Sequence, residues 1–199
     1  MDLRLVFATH NTNKAREIQE IMPQGVLILS LDDIGCEEDI PETGQTLEEN
    51  ALIKARYVYK TYGMNCFADD TGLEIDALNG EPGVYSARYA GEEKNPDANM
   101  EKVLHKLGAS PDRDARFRTV IALCLHGEEH LFEGTVQGHI TYEKRGHQGF
   151  GYDPIFEPEH HGRTFAEMPL EEKNTLSHRA RALEKMIHFI IRDNYTHRL

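Results

Sequence analysis

The sequence predicts an α/β protein in which a mixed β-sheet is flanked by helices. Segments with the hydrophobic pattern of strands alternate with segments of helical periodicity along the 199 residues. In addition, the strand-like segments 115–126 and 130–143 are separated by a short glycine-containing turn, which is typical of an antiparallel hairpin. Because strands and helices are interleaved and a hairpin is also present, we expect a sheet with both kinds of pairing.

The first part of the chain predicts a strand, a helix and a second strand. LRLVFATH (3–10) is a short apolar run of the strand type. Apolar residues then recur at helical spacing through NKAREIQEIM (13–22), and Pro23 and Gly25 end this helix. VLILSL (26–31) predicts the second strand, and an acidic loop follows it.

The next predicted helix has signals at both of its ends. Thr46 can accept a hydrogen bond from the backbone and Glu49 can reach back to it, so the pair predicts a capping box. Gly63 suits the C-terminal cap of a helix that ends at Tyr62. NCFADD (65–70) then predicts a strand that ends with two acids, and the residues after it alternate apolar and acidic side chains.

Two further helices are predicted in the second half of the chain. Asn95 as cap and Pro96 at the first helical position begin one of them, and Gly108 ends it. The last helix begins near Ser177, and we expect it to pack on the body of the protein. Its apolar stripe consists of Leu176, Ala180, Leu183, Ile187 and Ile190.

The composition is that of an ordinary globular protein, with 39 % hydrophobic and 28 % charged residues. No repeat, low-complexity tract or linker divides the chain, so we expect a single domain over residues 1–199. The net charge of -12 argues against a nucleic-acid polymer as partner, because the two anions would repel each other. No apolar run approaches the roughly 18 residues that span a membrane, and the N-terminus lacks the features of a signal peptide.

The cysteines indicate a reducing compartment. Cys36, Cys66 and Cys124 are odd in number, far apart and outside any CxxC pair. This pattern predicts free thiols and disfavours a metal–thiolate site. We therefore expect a cytoplasmic protein.

The motif THNTNK (9–14) lies between the first predicted strand and helix. Short polar side chains there can cap the helix and leave backbone N–H groups pointing outward, with Lys14 in the first turn. Such a helix start favours anions through its N–H groups and its dipole. An ordinary polar turn with an exposed lysine fits the same pattern.

Acidic residues occur beside turns in two places that could converge. Asp69 and Asp70 follow an apolar run at the predicted end of a strand, and Glu42 precedes the helix that begins after Thr46. Carboxylates are ligands that Mg²⁺ uses together with substrate phosphates, and a positioned carboxylate can also accept a proton from water. Solvated acids on loops are the alternative, which is favoured for Glu42 taken singly.

GFGYDPIF (149–156) is unusual because two glycines surround Phe150. The freed backbone could present the ring for stacking on a flat base, and Asp153 precedes a proline that fixes an extended turn. A tight turn that buries Phe150 and Tyr152 in the core is the alternative.

EEKNTLSHRARAL (171–183) places cations at the predicted start of the last helix. The helix dipole disfavours positive charge at that end, unless an anion or ligand offsets it. Cations at this unfavourable position point towards a binding role. The residues concerned are Lys173, His178 and Arg179.

Together these segments resemble the inosine/xanthosine triphosphate pyrophosphatase family. The motifs that carry the resemblance occur in family order: THNTNK, ETGQTLEENALIKA, ADDTGLEIDALNGEPGVYSARYAG, GFGYDPIF and EEKNTLSHRARAL. They extend the similarity from about residue 4 to about residue 190. Neither a P-loop motif nor a dinucleotide-binding glycine pattern competes with this interpretation.

The resemblance implies a fold, an activity and partners. The fold is an elongated, bent mixed sheet flanked by helices, with two lobes and a central active-site cleft. The activity is Mg²⁺-dependent hydrolysis of ITP, dITP or XTP to the monophosphate and pyrophosphate, with one or more metal ions per subunit. The family also implies a homodimer whose substrate is a purine nucleoside triphosphate.

The resemblance further implies roles for individual residues. Asp70 accepts the proton of the attacking water and, with Glu42, holds the metal, while Thr71 contacts substrate. The triphosphate is bound by Lys54 and by the turn of Thr9, His10, Asn11, Thr12, Asn13 and Lys14. The base is recognised by stacking on Phe150, in a pocket formed with Gly151, Tyr152, Asp153, Lys173, His178 and Arg179. His10 is a departure, because many relatives carry glycine there, so the phosphate role is expected of the turn more than of this side chain.

Two alternatives follow from the same residues. One is a pyrophosphatase for another modified nucleotide, for example a pyrimidine. The other is a non-catalytic nucleotide-binding module, which predicts loss of the acids. Glu42, Asp69 and Asp70 are all present, which disfavours that second alternative.

Overall fold

The computed structural model describes residues 3–196, with side chains described as far as residue 192. Strands and helices alternate along the chain and a long hairpin lies in its second half, as predicted. In chain order the elements are β1 Leu3–Phe7, α1 Thr12–Ile21, β2 Val26–Leu29, α2 Leu47–Tyr62, β3 Cys66–Ile75, α3 Pro96–Leu107, β4 Asp114–Leu125, β5 Glu128–Ile140, β6 Phe156–Pro158, α4 Leu170–Leu176 and α5 His178–Thr196.

The strands form one mixed sheet in the order β2-β1-β3-β4-β5-β6. β1 pairs in parallel with β2 and with β3, whereas β5 and β6 are antiparallel. The predicted mixed sheet flanked by helices is therefore confirmed. The chain divides into two compact units, one of residues 1–70, 120–133 and 182–199, the other of residues 71–119 and 134–181. The predicted cleft and the assignment of 1–199 to a single domain stay predictions.

The first unit has an apolar core built from strand and helix residues. Leu5 and Phe7 of β1 pack with Ile18 of α1 and Met186 of α5. Phe7 stacks on Phe67 of β3, with the ring centroids 4.6 Å apart. This core anchors the carboxyl end of β1, from which the turn 9–14 leaves.

The second unit has its own aromatic core. Phe117 of β4 packs against Phe156, with 4.6 Å between the ring centroids, and both contact Phe165. Leu73 of β3 and Tyr152 belong to the same buried cluster. This core supports the loop that carries Phe150.

The helix ends agree with the predicted caps, with one difference. The Thr46 hydroxyl accepts a hydrogen bond from the Glu49 backbone N–H (3.1 Å), but the Glu49 carboxylate accepts from the N–H of Gln45 at 2.6 Å. The second bond of the predicted capping box is thus made one residue earlier. Gly63 ends α2 in the left-handed conformation, as expected.

Two boundary predictions were wrong. FADDTG is not the end of a strand, because β3 continues from Cys66 to Ile75 and returns to an apolar pattern after Gly72. The last helix, α5, begins at His178, close to the predicted start near Ser177, but the cations predicted at its start are divided, because Ser177 has extended backbone angles and separates α4 from α5. Its hydroxyl accepts a hydrogen bond from Ala180 N–H at 3.2 Å, so a new helix begins there. Lys173 therefore lies on α4, not on the last helix.

The remaining sequence-level expectations concern thiols and membranes. All three cysteines are buried free thiols, as predicted. Within residues 3–196, no helix is long and apolar enough to cross a membrane.

Candidate active site

The turn 9–14 is held at the carboxyl end of β1. Ala8 donates a backbone hydrogen bond to the Phe67 carbonyl (2.9 Å), and Asn11 caps α1 by accepting from the Lys14 N–H at 3.1 Å. The remaining N–H groups of the first helical turn have no intrahelical acceptor, since a helix leaves its first donors unpaired. The predicted polar helix start is confirmed as local structure, and such a start suits a phosphate.

A cavity of about 280 Å³ opens beside this turn. All of its walls belong to the first unit. They come from the turn, from the loop after β2, and from α2. The lining residues are Ala8, Thr9, His10, Asn11, Leu31, Asp39, Ile40, Glu42 and Lys54.

Helix α2 projects a lysine into this region. The Lys54 ammonium donates to the Glu42 carboxylate and to the Asp69 backbone carbonyl, both at 2.5 Å. Burial lowers the pKa of Lys54, but the negative charges of Asp69 and Glu42 outweigh it, so the pKa lies above its ordinary value. Lys54 is therefore a permanent cation next to the predicted metal ligand Glu42.

Asp69 and Asp70 lie in the middle of β3 and still reach this region. The pairing of β1 with β3 ends at Phe7 and Phe67, so the two acids extend past the end of β1, where the turn 9–14 begins. Successive strand residues project to opposite faces, so the two carboxylates point different ways. Both are half-buried. Asp69 and Asp70 are adjacent in sequence, but their carboxylates therefore lie in different surroundings.

Asn50 positions Asp70, and sequence reasoning missed it. Its amide donates to Asp70 Oδ2 at 3.0 Å and its carbonyl accepts from Gly44 N–H at 2.7 Å. Asn50 is buried and lies one helical turn before Lys54, so both side chains share one face of α2. A Cβ at Gly44 would lie 2.7 Å from the Asn50 oxygen, which explains the glycine. A polar residue within the apolar stripe of α2 was the available signal.

We call the assembly of Glu42, Asn50, Lys54, Asp69 and Asp70 the carboxylate cluster. Among residues 3–196, no group of at least three His, Cys, Asp or Glu side chains is arranged to hold a metal ion by itself. Mg²⁺ binds through one or two carboxylates, with substrate phosphates and water completing its coordination. The donor set of Glu42 and Asp70 fits this second mode.

Thr71 is the first residue of the second unit in β3. Its hydroxyl shares a hydrogen bond of 2.7 Å with the hydroxyl of Thr119 on β4. The pairing fixes the orientation of the Thr71 side chain. Its predicted contact with substrate stays a prediction.

Phe150 is displayed to solvent, with 71 % of its surface exposed. The interpretation of Phe150 as a core residue is therefore wrong. The Asp153 carboxylate accepts from the Phe150 N–H at 2.8 Å and from the Lys173 ammonium at 2.5 Å. The same ammonium lies 4.5 Å from the Phe150 ring centroid, within cation–π distance. A buried ion pair thus supports an exposed ring.

The residues around Phe150 explain how the loop is shaped. Gly149 has a φ of 79°, and a Cβ there would lie 2.1 Å from an Asp153 oxygen. Tyr152 is buried and donates its hydroxyl proton to the Ser86 carbonyl at 2.6 Å. Burial raises the pKa of Asp153, and the charge of Lys173 opposes that effect. The Tyr152 and Asp153 side chains therefore hold the loop from inside, whereas the Phe150 ring is exposed.

His178 and Arg179 begin α5 beside the same core. His178 is buried and stacks on Phe117, with 4.9 Å between the ring centroids. Arg179 is half-buried. We call the set of Phe150, Asp153, Lys173, His178 and Arg179 the aromatic cluster.

The predicted site residues thus fall into two sets, each within one unit. The first unit contains the turn 9–14, Glu42, Lys54 and Asp70, and the second contains Thr71 and the aromatic cluster with Gly151 and Tyr152. The individual binding and catalytic roles stay predictions.

Comparisons with known proteins cover nearly the whole chain. The model of the Ham1 family matches residues 5–189. The dITP/XTP pyrophosphatase of Flavobacterium johnsoniae is 58 % identical, over 93 % of this chain and 96 % of that protein. The Bacillus subtilis protein of the same name is 51 % identical, over 91 % and 93 %.

Solved structures agree with the sequence matches. The Ham1 protein of Staphylococcus aureus superposes with a TM-score of 0.91 at 41 % identity, covering 96 % of this chain and 99 % of that one. A nucleoside-triphosphatase, described as a dITP/XTP pyrophosphatase, from Mycobacterium abscessus gives a TM-score of 0.82 at 43 % identity, over 92 % and 98 %. With a family model spanning its length and relatives above half identity, this chain belongs to the Ham1 family.

Proposed function

We propose that the protein hydrolyses ITP, dITP and XTP to the nucleoside monophosphate and pyrophosphate, and so removes deaminated purines from the nucleotide pool. The carboxylate cluster is the observation that carries this proposal. It combines a carboxylate held by an amide, a half-buried lysine and a second carboxylate that lines the cavity beside the turn 9–14. The names of the full-length relatives support the same reaction.

The proposed chemistry assigns a separate task to each part of the cluster. Asp70, oriented by Asn50, accepts the proton of the water that attacks phosphorus. Lys54, Lys14 and the N–H groups of the turn balance the negative charge of the triphosphate. The bond between the α- and β-phosphates breaks, and pyrophosphate leaves.

We propose Mg²⁺ as the cofactor, one or more ions per subunit, held by Glu42 and Asp70. When bound, the ion would stabilise negative charge that develops on the phosphate oxygens. The Lys54 ammonium pairs with the Glu42 carboxylate at 2.5 Å, so the carboxylate is already oriented in the cavity. A homodimer and a cytoplasmic location are part of the same proposal.

Recognition of the base is assigned to the aromatic cluster. Phe150 offers a flat apolar face of the kind on which a purine stacks. Arg179 supplies donors that suit a 6-oxo group, whereas adenine presents an amine there. A donor facing a donor loses a hydrogen bond in a desolvated pocket, which disfavours ATP.

The test is release of pyrophosphate from a panel of nucleotides, with Mg²⁺ and with chelator. We expect turnover of ITP, dITP and XTP to exceed that of ATP and of the pyrimidine triphosphates, and to disappear with chelator. Preference for a pyrimidine triphosphate would establish the alternative modified-nucleotide activity. Binding of ITP without any release would instead establish the non-catalytic module.

A further inference from the structure

His10 bridges two segments that meet at the cavity of the first unit. Its Nδ1 lies 2.7 Å from the Asp32 carboxylate, and its Nε2 lies 3.1 Å from the Glu38 carbonyl oxygen. Asp32 and Glu38 are the first and last residues of the loop 32–38, and the chain continues from this loop to Glu42. One side chain of the phosphate-binding turn therefore holds both ends of the neighbouring loop.

The partners of His10 determine its protonation. A backbone carbonyl only accepts hydrogen bonds, so Nε2 must donate to Glu38. An ionised carboxylate also only accepts, so Nδ1 must donate to Asp32. Both contacts are satisfied together only by the imidazolium form. A neutral ring would place a nitrogen lone pair against one of these two acceptor oxygens.

The surroundings of His10 favour the same charged form. The hydrogen bonds to Asp32 and Glu38 raise the pKa of His10 above its ordinary value, and the nearby charge of Asp39 adds to this. Across the cavity the charged groups are Glu42 and Lys54, which neutralise each other. Asp32 and Asp39 thus place negative charge around the imidazole on its own side of the cavity.

We propose that His10 is a positioning residue: as an imidazolium it holds the loop 32–38 against the turn 9–14 and thereby shapes the cavity for a triphosphate. The proposal deepens the proposed function and rests on it for the identity of the ligand. Loss of the proton leaves the ring with one N–H for two acceptors, so one of the two contacts is lost, the loop loosens and triphosphate binding weakens. Asp32 acts only through His10.

The first measurement is independent of catalysis. An NMR titration of the imidazole signals should show a proton on both ring nitrogens of His10 and a pKa above the ordinary value for histidine. In Asp32→Asn the His10 titration should shift to lower pH, since the charged partner is gone. A His10 whose pKa is at or below the ordinary value for histidine, or that does not respond to Asp32→Asn, overturns the proposal.

The second measurement compares binding of inorganic tripolyphosphate to wild type and His10→Asn by calorimetry. A charge-assisted hydrogen bond at a partly exposed site predicts about tenfold tighter binding by wild type at pH values below the His10 titration. The advantage should vanish as the pH rises through the His10 titration. Because each comparison is made at one pH, ionisation of the ligand cancels. His188→Asn serves as the control for removal of an imidazole, and it should match wild type.

The pH dependence of tripolyphosphate binding by Asp32→Asn distinguishes a positioning role of His10 from simple structural support. This variant should lose its binding advantage over His10→Asn at the lower pH at which its own His10 titrates. A binding difference that is constant over about pH 6 to pH 10 would mean that the imidazolium has no role. If wild type binds tripolyphosphate with the expected profile but hydrolyses no nucleotide, the proposed function fails while the role of His10 stands.

Discussion

The carboxylate cluster and the aromatic cluster use charge in opposite ways. In the carboxylate cluster the pair of Glu42 and Lys54 borders an open cavity, and 38 % of the Glu42 side chain is exposed. In the aromatic cluster the pair of Asp153 and Lys173 is almost fully buried, and the exposed side chain is the apolar Phe150. Charges in the first cluster border an open cavity, whereas the buried pair in the second fixes the shape of a loop. Substitutions of charged residues should therefore affect chemistry in the first cluster, and substitutions of the buried pair should affect stability in the second.

Asp70→Asn should give the largest effect, in the carboxylate cluster. The amide cannot accept a proton from water and is a poorer metal ligand, so kcat for ITP should fall at least about a hundredfold. Asp70 is half-buried and the replacement has the same shape, so the thermal midpoint should change little. Steady-state kinetics and a melting curve on the same preparation provide the two readouts.

Asp76→Asn is the matched control for Asp70→Asn. This acid is exposed in the turn after β3 and lies outside the cluster. It should retain wild-type kinetics. Near-normal turnover in Asp70→Asn would show that another group accepts the proton.

Asp153→Asn should give the largest loss of stability. It leaves the Lys173 ammonium buried without its charged partner, a change that costs about 3–5 kcal/mol in comparable sites. The free energy of unfolding from denaturant titration measures the loss. The double variant Asp153→Asn with Lys173→Met should recover part of it, because the unpaired charge is then gone.

One result with Asp153→Asn would contradict the structural role assigned to the pair of Asp153 and Lys173. If Asp153→Asn retains full stability but loses selectivity among nucleotides, the pair acts on the ligand directly. The two clusters would then not differ as described.

Much of the fold could be predicted because its signals are local. The cap at Thr46, the proline at position 96 and the glycines at positions 63 and 108 determine helix ends through backbone geometry within a few residues. The hairpin of β4 and β5 likewise follows from its own pattern. The course of β3 through Asp69 and Asp70 was not predictable in this way. Pairing with strands far away in sequence keeps those acids in a strand.

The candidate site shows the same difference between features that follow from local sequence and features that depend on tertiary contacts. Phe150 could be proposed from the glycines beside it, since they determine the local backbone. The bond of Asn50 to Asp70 joins residues on different elements, and the contact of His10 with Asp32 does the same. Such contacts depend on tertiary packing, and a single sequence does not reveal them. Lys173 was wrongly placed at the start of the last helix because the apolar stripe, which includes Leu176, continues across Ser177 from α4 into α5.

Phe150→Ala should weaken substrate binding and leave stability unchanged. Stacking on a base is worth about 1–3 kcal/mol, so KM for ITP should rise by roughly one to two orders of magnitude. Because 71 % of the ring surface is exposed, its removal leaves no cavity in the core. Unfolding of the variant would show that the ring is structural after all. An unchanged KM would remove Phe150 from the binding site.

Arg179→Ala should give the smallest overall loss of rate and the most specific one. A guanidinium can donate more than one hydrogen bond to a 6-oxo purine, whereas with adenine it faces an amine and gains nothing. The variant should therefore lower kcat/KM steeply for ITP and XTP and much less for ATP, so the ITP-to-ATP ratio falls by about tenfold, as expected for one charged hydrogen bond. Arg181→Ala is the matched control on the same helix, because Arg181 binds the Thr135 carbonyl at 2.6 Å and is exposed. If both variants leave the ratio unchanged, Arg179 is a surface or phosphate-side cation. Selectivity would then depend on other residues of the aromatic cluster.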